Sequence, residues 1–470
     1  MLFSSTIFLF YFLPFALFCY YIPSTVKVKN RILLFFSLIF FAWAGINFTL
    51  ILICSVIFNF FIGIWIERYG SKNVFIIGIV GNLTLLVWFK YANFLVFNLD
   101  VVLGSFGCSS LYISKILLPI GISFYTFHSI SYLIDVKNER SPAQKNIFDM
   151  ALYIILFTQL VAGPIIRYNT FAPQLYVRLS NLHKFSKGIE RFIIGLGKKV
   201  LIANTLARLA EESFHQDIHT MSTLLSWVGA ISYTLQIYFD FSGYSDMAIG
   251  LSKMFGFDFP ENFNLPYIAE SVKDFWRRWH ISLSSFFRDY LYFPLGGNKK
   301  GSKRTYFNLI LVFFLTGLWH GANYTFIVWS IIHGFFLIVE RAGFNNLLIK
   351  MPLFLRRVYT FIIVVLAWIV FRSDNITQAL HYYRSLLPNG NDSKTELVAS
   401  YFTMDFIVVM GVAILLAFNI LRPIQAKVKR SEVIFGITSA LNACFLLAVL
   451  FFSAVYLISG TYNPFIYYQF

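Results

Sequence analysis

Charge is scarce in this chain. Only 13% of its residues are Asp, Glu, Lys or Arg, whereas 58% are hydrophobic and 56 are phenylalanine. No soluble core absorbs that much apolar surface, so a water-soluble globular protein is excluded. Cysteine is scarce as well: Cys19, Cys54, Cys108 and Cys444 are scattered, three of them inside apolar runs. Their spacing matches neither a disulfide framework nor a metal site. Long polar stretches are missing. The longest, near 164–189, 255–275, 293–304 and 385–400, are too short to build a soluble domain with its own core. There is no internal repeat, no H-E-x-x-H spacing, no G-x-S-x-G, no P-loop and no dinucleotide fingerprint. No metal site is expected.

What is present is apolar sequence in runs of about 17 to 25 residues, the length a helix needs to cross the hydrocarbon layer. Thirteen such segments lie near 5–22, 32–45, 49–66, 74–98, 114–134, 148–166, 190–206, 224–252, 305–320, 322–340, 357–372, 403–421 and 434–459. Several read as re-entrant or interfacial, leaving about ten to twelve crossings. The expected fold is an all-α, polytopic helical bundle, with residues 1–470 forming one membrane-embedded domain. The first run, FLFYFLPFALFCYYIP, lacks a basic leading region and a small-residue cleavage site, so it is expected to be a retained span. Lys27, Lys29 and Arg31 follow it, and Arg68 and Lys72 lie in the next short basic loop. With the brief turn at 45–48 between them, the positive-inside rule places both basic loops in the cytoplasm and the N-terminus outside. The formal charge of +16 therefore points to topology and anionic lipid, not to nucleic acid.

The stretch from Val272 to Arg304 departs from this pattern. It holds eight basic residues against two acidic ones, interleaved with Phe275, Trp276, Trp279, Phe286, Phe287, Tyr290 and Tyr292. Basic and aromatic residues without a long apolar run suit an amphipathic segment in the interface. Pro294-Leu295-Gly296-Gly297 then signals a turn. Within the stretch, His280 follows Trp279 in RRWH, where an imidazole can sit at headgroup level or serve a reaction. The basic residues from Arg277 to Arg304, with Arg277, Arg278, Lys299 and Lys300 among them, contact lipid on one reading. On the other they attract a polyanionic substrate head, such as a coenzyme A diphosphate.

A second tryptophan–histidine pair, Trp319-His320, ends the apolar run NLILVFFLTGLWHG. Ionisable groups at membrane depth are functional candidates by default. Gly321 favours a helix end there. Thr316 and Asn323 are spaced to orient one ring nitrogen while leaving the other free, as a general base requires. A helix-packing histidine with a backbone partner is the plainer alternative. In YTLQIYFDFSGYSDMAIG, Gln236, Asp240 and Tyr244 share a helix face and Asp246 is offset from it. Carboxylates in an apolar run should face a cavity or pair with a cation, for example an arginine such as Arg277 or Arg278. His128, on one face with Tyr125 and Tyr132, and His333 are expected to be hydrogen-bonding members of the bundle.

These residues resemble the membrane-bound O-acyltransferase family, and within it the alginate O-acetylation branch. The resemblance is close from about Leu117 to Glu340. It rests on LPIGISFYTFHSISYLIDV, LVAGPIIRY, LQIYFDFSGYSDMAIGLSKMFGFDFPENFNLPY, DFWRRWHISLSSFFRDYLYFPLGGNKKG and GLWHGANYTFIVWSIIHG, with the C-terminal PFIYYQF in support. It implies acyl transfer from a cytoplasmic thioester, acetyl-CoA as donor, to an acceptor on the other side of the membrane. His320 matches the family's most characteristic position and His280 the second histidine of this branch. Trp279, Trp319, Asp240 and Asn323, with the four basic residues above, are the expected substrate contacts. The resemblance also implies work beside a secreted acetyltransferase, on a polysaccharide such as alginate or peptidoglycan. D-alanyl transfer to teichoic acid, from a branch similar in layout but without the RRWHISLS and PLGGN features, is the near alternative. A non-enzymatic polysaccharide or lipid transporter is the distant one.

Overall fold

The structure is a computed structural model, describing residues 1–107, 114–160, 163–216, 221–388, 401–420 and 432–460, the last without side chains for 432–439. Cys108, the PFIYYQF end and two residues of LVAGPIIRY lie outside them. Among the described residues every regular element is a helix. The chain forms two compact units, one of residues 1–189 with 248–260, the other of 190–247 with 261–470.

The first unit holds α1 (Leu13–Tyr21), α2 (Val26–Ala42), α3 (Ile46–Tyr69), α4 (Lys72–Ser105), α5 (Ile122–Lys137), α6 (Ile147–Ile155) and α7 (Tyr168–Tyr176). The basic loop between α3 and α4 shows how the sequence sets these ends. Gly70, at φ +59°, stops α3 in the left-handed conformation that glycine adopts without strain. Ser71 then caps α4, its hydroxyl oxygen accepting from the Val74 N–H. The span expected at 114–134 is shorter than its apolar run. Pro119 and Gly121 (φ +74°) delay helix formation until Ile122, leaving 16 residues. The span expected at 148–166 is interrupted as well, because Leu156 takes an extended ψ of 115°.

The second unit begins within α8 (Leu182–Gly197) and includes α9 (Asn204–His215) and most of α10 (Thr223–Met254). The amphipathic stretch follows as two seven-residue helices, α11 (Val272–Arg278) and α12 (Ile281–Phe287), broken at Trp279-His280. A π turn over Arg288–Tyr292 and left-handed Gly296 and Gly297 close it, where the Pro-Leu-Gly-Gly turn is expected. α13 (Gly301–His320), α14 (Tyr324–Val339), α15 (Leu353–Arg372), α16 (Ile376–Ser385), α17 (Met404–Ala417) and α18 (Glu432–Ile458) complete the unit.

Five helical stretches among the described residues are long and apolar enough to cross a membrane: 46–69, 72–105, 324–350, 353–372 and 440–458. Three shorter apolar helices accompany them. The other expected spans are short, broken or carry charge. Large apolar side chains such as Phe10, Trp43, Trp88, Phe354, Phe445 and Leu447 face outward. In water such a surface would aggregate; in lipid it is the solvent-facing surface. The protein is a polytopic, all-α membrane protein.

Candidate active site

The site is built around the bend between α13 and α14. α13 ends at His320 because Gly321 turns extended, and a β-carbon on Gly321 would collide with the Phe326 ring. Asn323 caps α14, its side-chain oxygen accepting from Thr325 N–H at 3.1 Å, while its amide group donates to Asp374 C=O at 2.7 Å. Thr316 donates its hydroxyl proton to Val312 C=O at 2.8 Å. Both residues expected to orient His320 therefore have backbone partners elsewhere. The His320 surroundings are aromatic instead. Trp319 and Trp329 stand 4.9 Å from its ring and Phe371 5.5 Å, all close to perpendicular to it. Side chains from three helices thus seat an imidazole that is 3% exposed.

His280 sits at the break between α11 and α12, with φ +41° and ψ 55°, a left-handed conformation that is strained for a side-chain-bearing residue. A loop just after α10 holds it there. The Asn264 N–H donates to Arg278 C=O and the Ile281 N–H to Asn262 C=O, each at 2.9 Å. His280 is wholly buried. Its Nδ1 lies 3.1 Å from Asn262 Oδ1, and its Nε2 has no hydrogen-bond partner among the described residues. Phe241 of α10 stands 4.7 Å from the ring, edge to face. Burial pushes the imidazole well below its ordinary value, to about 3, so it is neutral.

The two histidines meet through tryptophan. The Trp319 ring is 4.9 Å from His320 and 6.0 Å from His280. A second chain of rings runs from Trp279 to Trp368 (4.9 Å), Trp368 to Trp329 (5.5 Å) and Trp329 to His320. Next to the pair lies a cavity of about 780 Å³. Ile281, which follows His280, and Thr316, one turn before His320, both line it. So do Lys273, Arg277, Arg288 and Arg341, against the single acidic residue Glu340. The Glu340 carboxylate is already occupied, accepting the Val272 and Lys273 N–H groups at 2.6 and 3.1 Å. The cavity is therefore electropositive, and its size suits a small organic ligand.

Of the other expected substrate residues, Arg277 lines this cavity. Arg278 does not: its guanidinium is held by Asp274 at 2.9 Å and by Asn264 C=O at 3.3 Å. Lys299 and Lys300 follow Asn298, which lines the cavity, but are not among its walls. Trp279 is buried among rings. The aspartates do not pair with Arg277 or Arg278. Asp240 is bridged to Lys199 at 2.6 Å with both groups buried, and Asp246 binds Arg191 and Lys198, each at 2.6 Å. These cations come from the second half of α8 and the π turn after it, about 40 to 55 residues upstream, a partnership that side-chain spacing cannot reveal.

His333 has both ring nitrogens without a hydrogen-bond partner among the described residues, and packs against Phe275, Trp276 and Trp329 at 5.3–5.7 Å. It is a ring-packing residue, not the hydrogen-bonding one expected. His128, in the other unit, does bond as expected, its Nε2 accepting from Ile166 N–H at 3.4 Å. Sequence reasoning missed Asn262, Trp329, Trp368 and Phe371, and the basic wall residues Lys273, Arg288 and Arg341. The interleaving of basic and aromatic residues was a signal for the first two of that wall; nothing local marked the others.

A family model for the membrane-bound O-acyltransferase family matches residues 77–373. The chain is 46% identical over 402 residues to the probable alginate O-acetylase AlgI of Pseudomonas aeruginosa, covering 84% of this chain and 77% of that protein. It is 40% identical to the protein of the same name from Pseudomonas putida, with the whole of both chains aligned. The peptidoglycan O-acetyltransferase of Helicobacter pylori is 36% identical, over 82% of this chain and 80% of its own length. With two buried histidines beside residues that line a basic cavity, and a matching family model across most of its length, this chain belongs to the membrane-bound O-acyltransferase family.

Proposed function

We propose that this O-acyltransferase takes an acetyl group from acetyl-CoA on the cytoplasmic side of the cell's inner membrane and delivers it for O-acetylation of an extracytoplasmic polysaccharide. The observation that carries the reading is the joining of two things: a cavity walled by Lys273, Arg277, Arg288 and Arg341, and a buried histidine pair next to its Ile281 and Thr316 lining. Guanidinium and ammonium groups suit the phosphates of the donor. Imidazoles suit proton transfer at neutral pH. His320 acts as general base or organises the transfer, and His280 assists it. The names of the relatives, alginate and peptidoglycan O-acetylation, favour a polysaccharide acceptor.

A hydrated polymer is too bulky for a bundle lined by Phe and Leu, whereas an acetyl group is small enough to pass. The transfer is therefore a relay, completed by a separate extracytoplasmic acetyltransferase. Reconstitution of the purified protein in liposomes, with acetyl-CoA inside and soluble glycan outside, tests this. The expected result is no glycan acetylation until the extracytoplasmic partner is added. Efficient acetylation by this chain alone would overturn the relay.

A further inference from the structure

The tautomer of His280 can be read from its neighbours. Asn262 is buried, 1% exposed, and its Oδ1 is met by three groups: His280 Nδ1 at 3.1 Å, the Ser282 hydroxyl at 2.9 Å and the Ser282 N–H at 3.2 Å. A backbone N–H can only donate, so the atom it meets must be the amide oxygen. The other end of the amide donates to Ser245 Oγ at 3.1 Å, which agrees. An oxygen can only accept, so Nδ1 must carry the proton. The remaining nitrogen, Nε2, then holds a lone pair, and it has no hydrogen-bond partner among the described residues. A buried acceptor left unmatched gains from any donor brought to it.

We propose that Asn262 is the positioning residue of the transfer site: it locks His280 as the Nδ1–H tautomer, so that Nε2 works only as an acceptor. The backbone reinforces the lock, since Asn262 C=O also receives the Ile281 N–H at 2.9 Å and holds His280 at its positive φ. This assignment rests on the reading of His280 as part of the transfer site, and it narrows that role. A neutral His280 cannot donate from Nε2 to a thioester carbonyl; it can only accept a hydrogen bond or a proton from a reacting group.

The test is a pH profile. Asn262→Asp places a carboxylate on Nδ1–H, and an opposite charge at that distance raises an imidazole pKa by about 1–3 units. An imidazolium offers no lone pair, so the acidic limb of the profile should move up by at least about one unit. Charged and titratable groups on the elements packed against His280 are the same in wild type and variant. They are Tyr233, Tyr238, Asp240, Tyr244, Asp246 and Lys253 on α10, Glu261 beside Asn262, Lys303, Arg304, Tyr306 and His320 on α13, and Lys273, Asp274, Arg277 and Arg278 on α11. Asp240 and Asp246 keep their lysine and arginine partners.

Membrane vesicles from cells expressing the full chain are supplied with acetyl-labelled acetyl-CoA at a series of pH values, and label in the envelope polymer is counted. His280→Ala should abolish incorporation and Asn262→Asp should shift the limb. Asn262→Ala should lower kcat about tenfold, the equivalent of one lost buried hydrogen bond, with KM for acetyl-CoA unchanged. Should the aspartate variant fail to insert, the alanine variant decides. An inactive His280→Ala with an unshifted Asn262→Asp, or an undiminished kcat in Asn262→Ala, overturns the role of Asn262 alone. An active His280→Ala overturns the transfer-site reading beneath it.

Discussion

Trp319 touches both histidines, and its position next to His320 in the chain makes that contact automatic on one side only. The other side, 6.0 Å from His280, depends on where α11 and α12 are placed. Aromatic rings from three helices pack around His320, so its removal should leave that surrounding framework standing. His320→Ala is expected to insert normally and to lose at least about 10²-fold in transfer, the lower range for a lost general base. The measurement is polymer-bound acetyl per molecule of membrane-inserted protein; near-normal acetylation by a well-expressed variant would remove His320 from the mechanism. The same scale explains why Asp240 misleads. Its burial is visible from the apolar sequence around it, yet its charge is met by Lys199, equally buried, so it reads first as part of an ion pair. Breaking such a pair from one side leaves an uncompensated charge in low dielectric.

The α13–α14 hairpin is the element on which the site depends. Gly317 allows the two helices to touch: a β-carbon there would meet the Ser330 hydroxyl and stand 2.7 Å from Phe326 C=O. Close approach at this point sets the spacing between Trp319-His320 on one helix and Trp329 on the next. Gly317→Val should force the helices apart and destabilise the fold by about 1–3 kcal/mol, the usual cost of overpacking. A lower melting temperature in detergent, together with a kcat loss larger than that of Gly317→Ala, is the expected pattern. An unchanged melting temperature would mean the hairpin is not tightly packed there. The neighbouring α11–α12 break works by the opposite device, a strained residue instead of a small one, and a loop from outside the element holds the strain in place.

At the scale of the whole molecule, the charge pattern fixes orientation in the bilayer. Asn298 to Arg304 contains Lys299, Lys300, Lys303 and Arg304, and begins at the edge of the basic cavity. By the positive-inside rule this loop is expected to be cytoplasmic, the side proposed above for the thioester donor. A single cysteine at Ser302, in a background freed of Cys54 and Cys444, both exposed, and of the other two, should resist a membrane-impermeant reagent in intact cells and react once the membrane is opened. Labelling in intact cells would place the cavity mouth outside and remove the proposed donor entrance.

Composition and run length by themselves determined that the protein is helical and lives in a membrane, because lipid admits only helices and closed barrels, and long continuous apolar runs lack the alternation of barrel strands. Local pattern also marked both tryptophan–histidine pairs, the basic-aromatic stretch and its terminating turn, since each lies within one short segment. Tertiary structure decided the rest. Pro119, Gly121 and Leu156 cut two expected spans short, and their effect on helix length exceeds the apolar signal that surrounds them. The partners of His280, Asp240 and Asp246 come from 18 to about 55 residues away. Periodicity shows which face of a helix is apolar, but not which other helix will supply the lysine, the amide oxygen or the ring that meets it. That choice is made by packing, where only side chains brought together by the fold can match one another's charge, hydrogen bonds and shape.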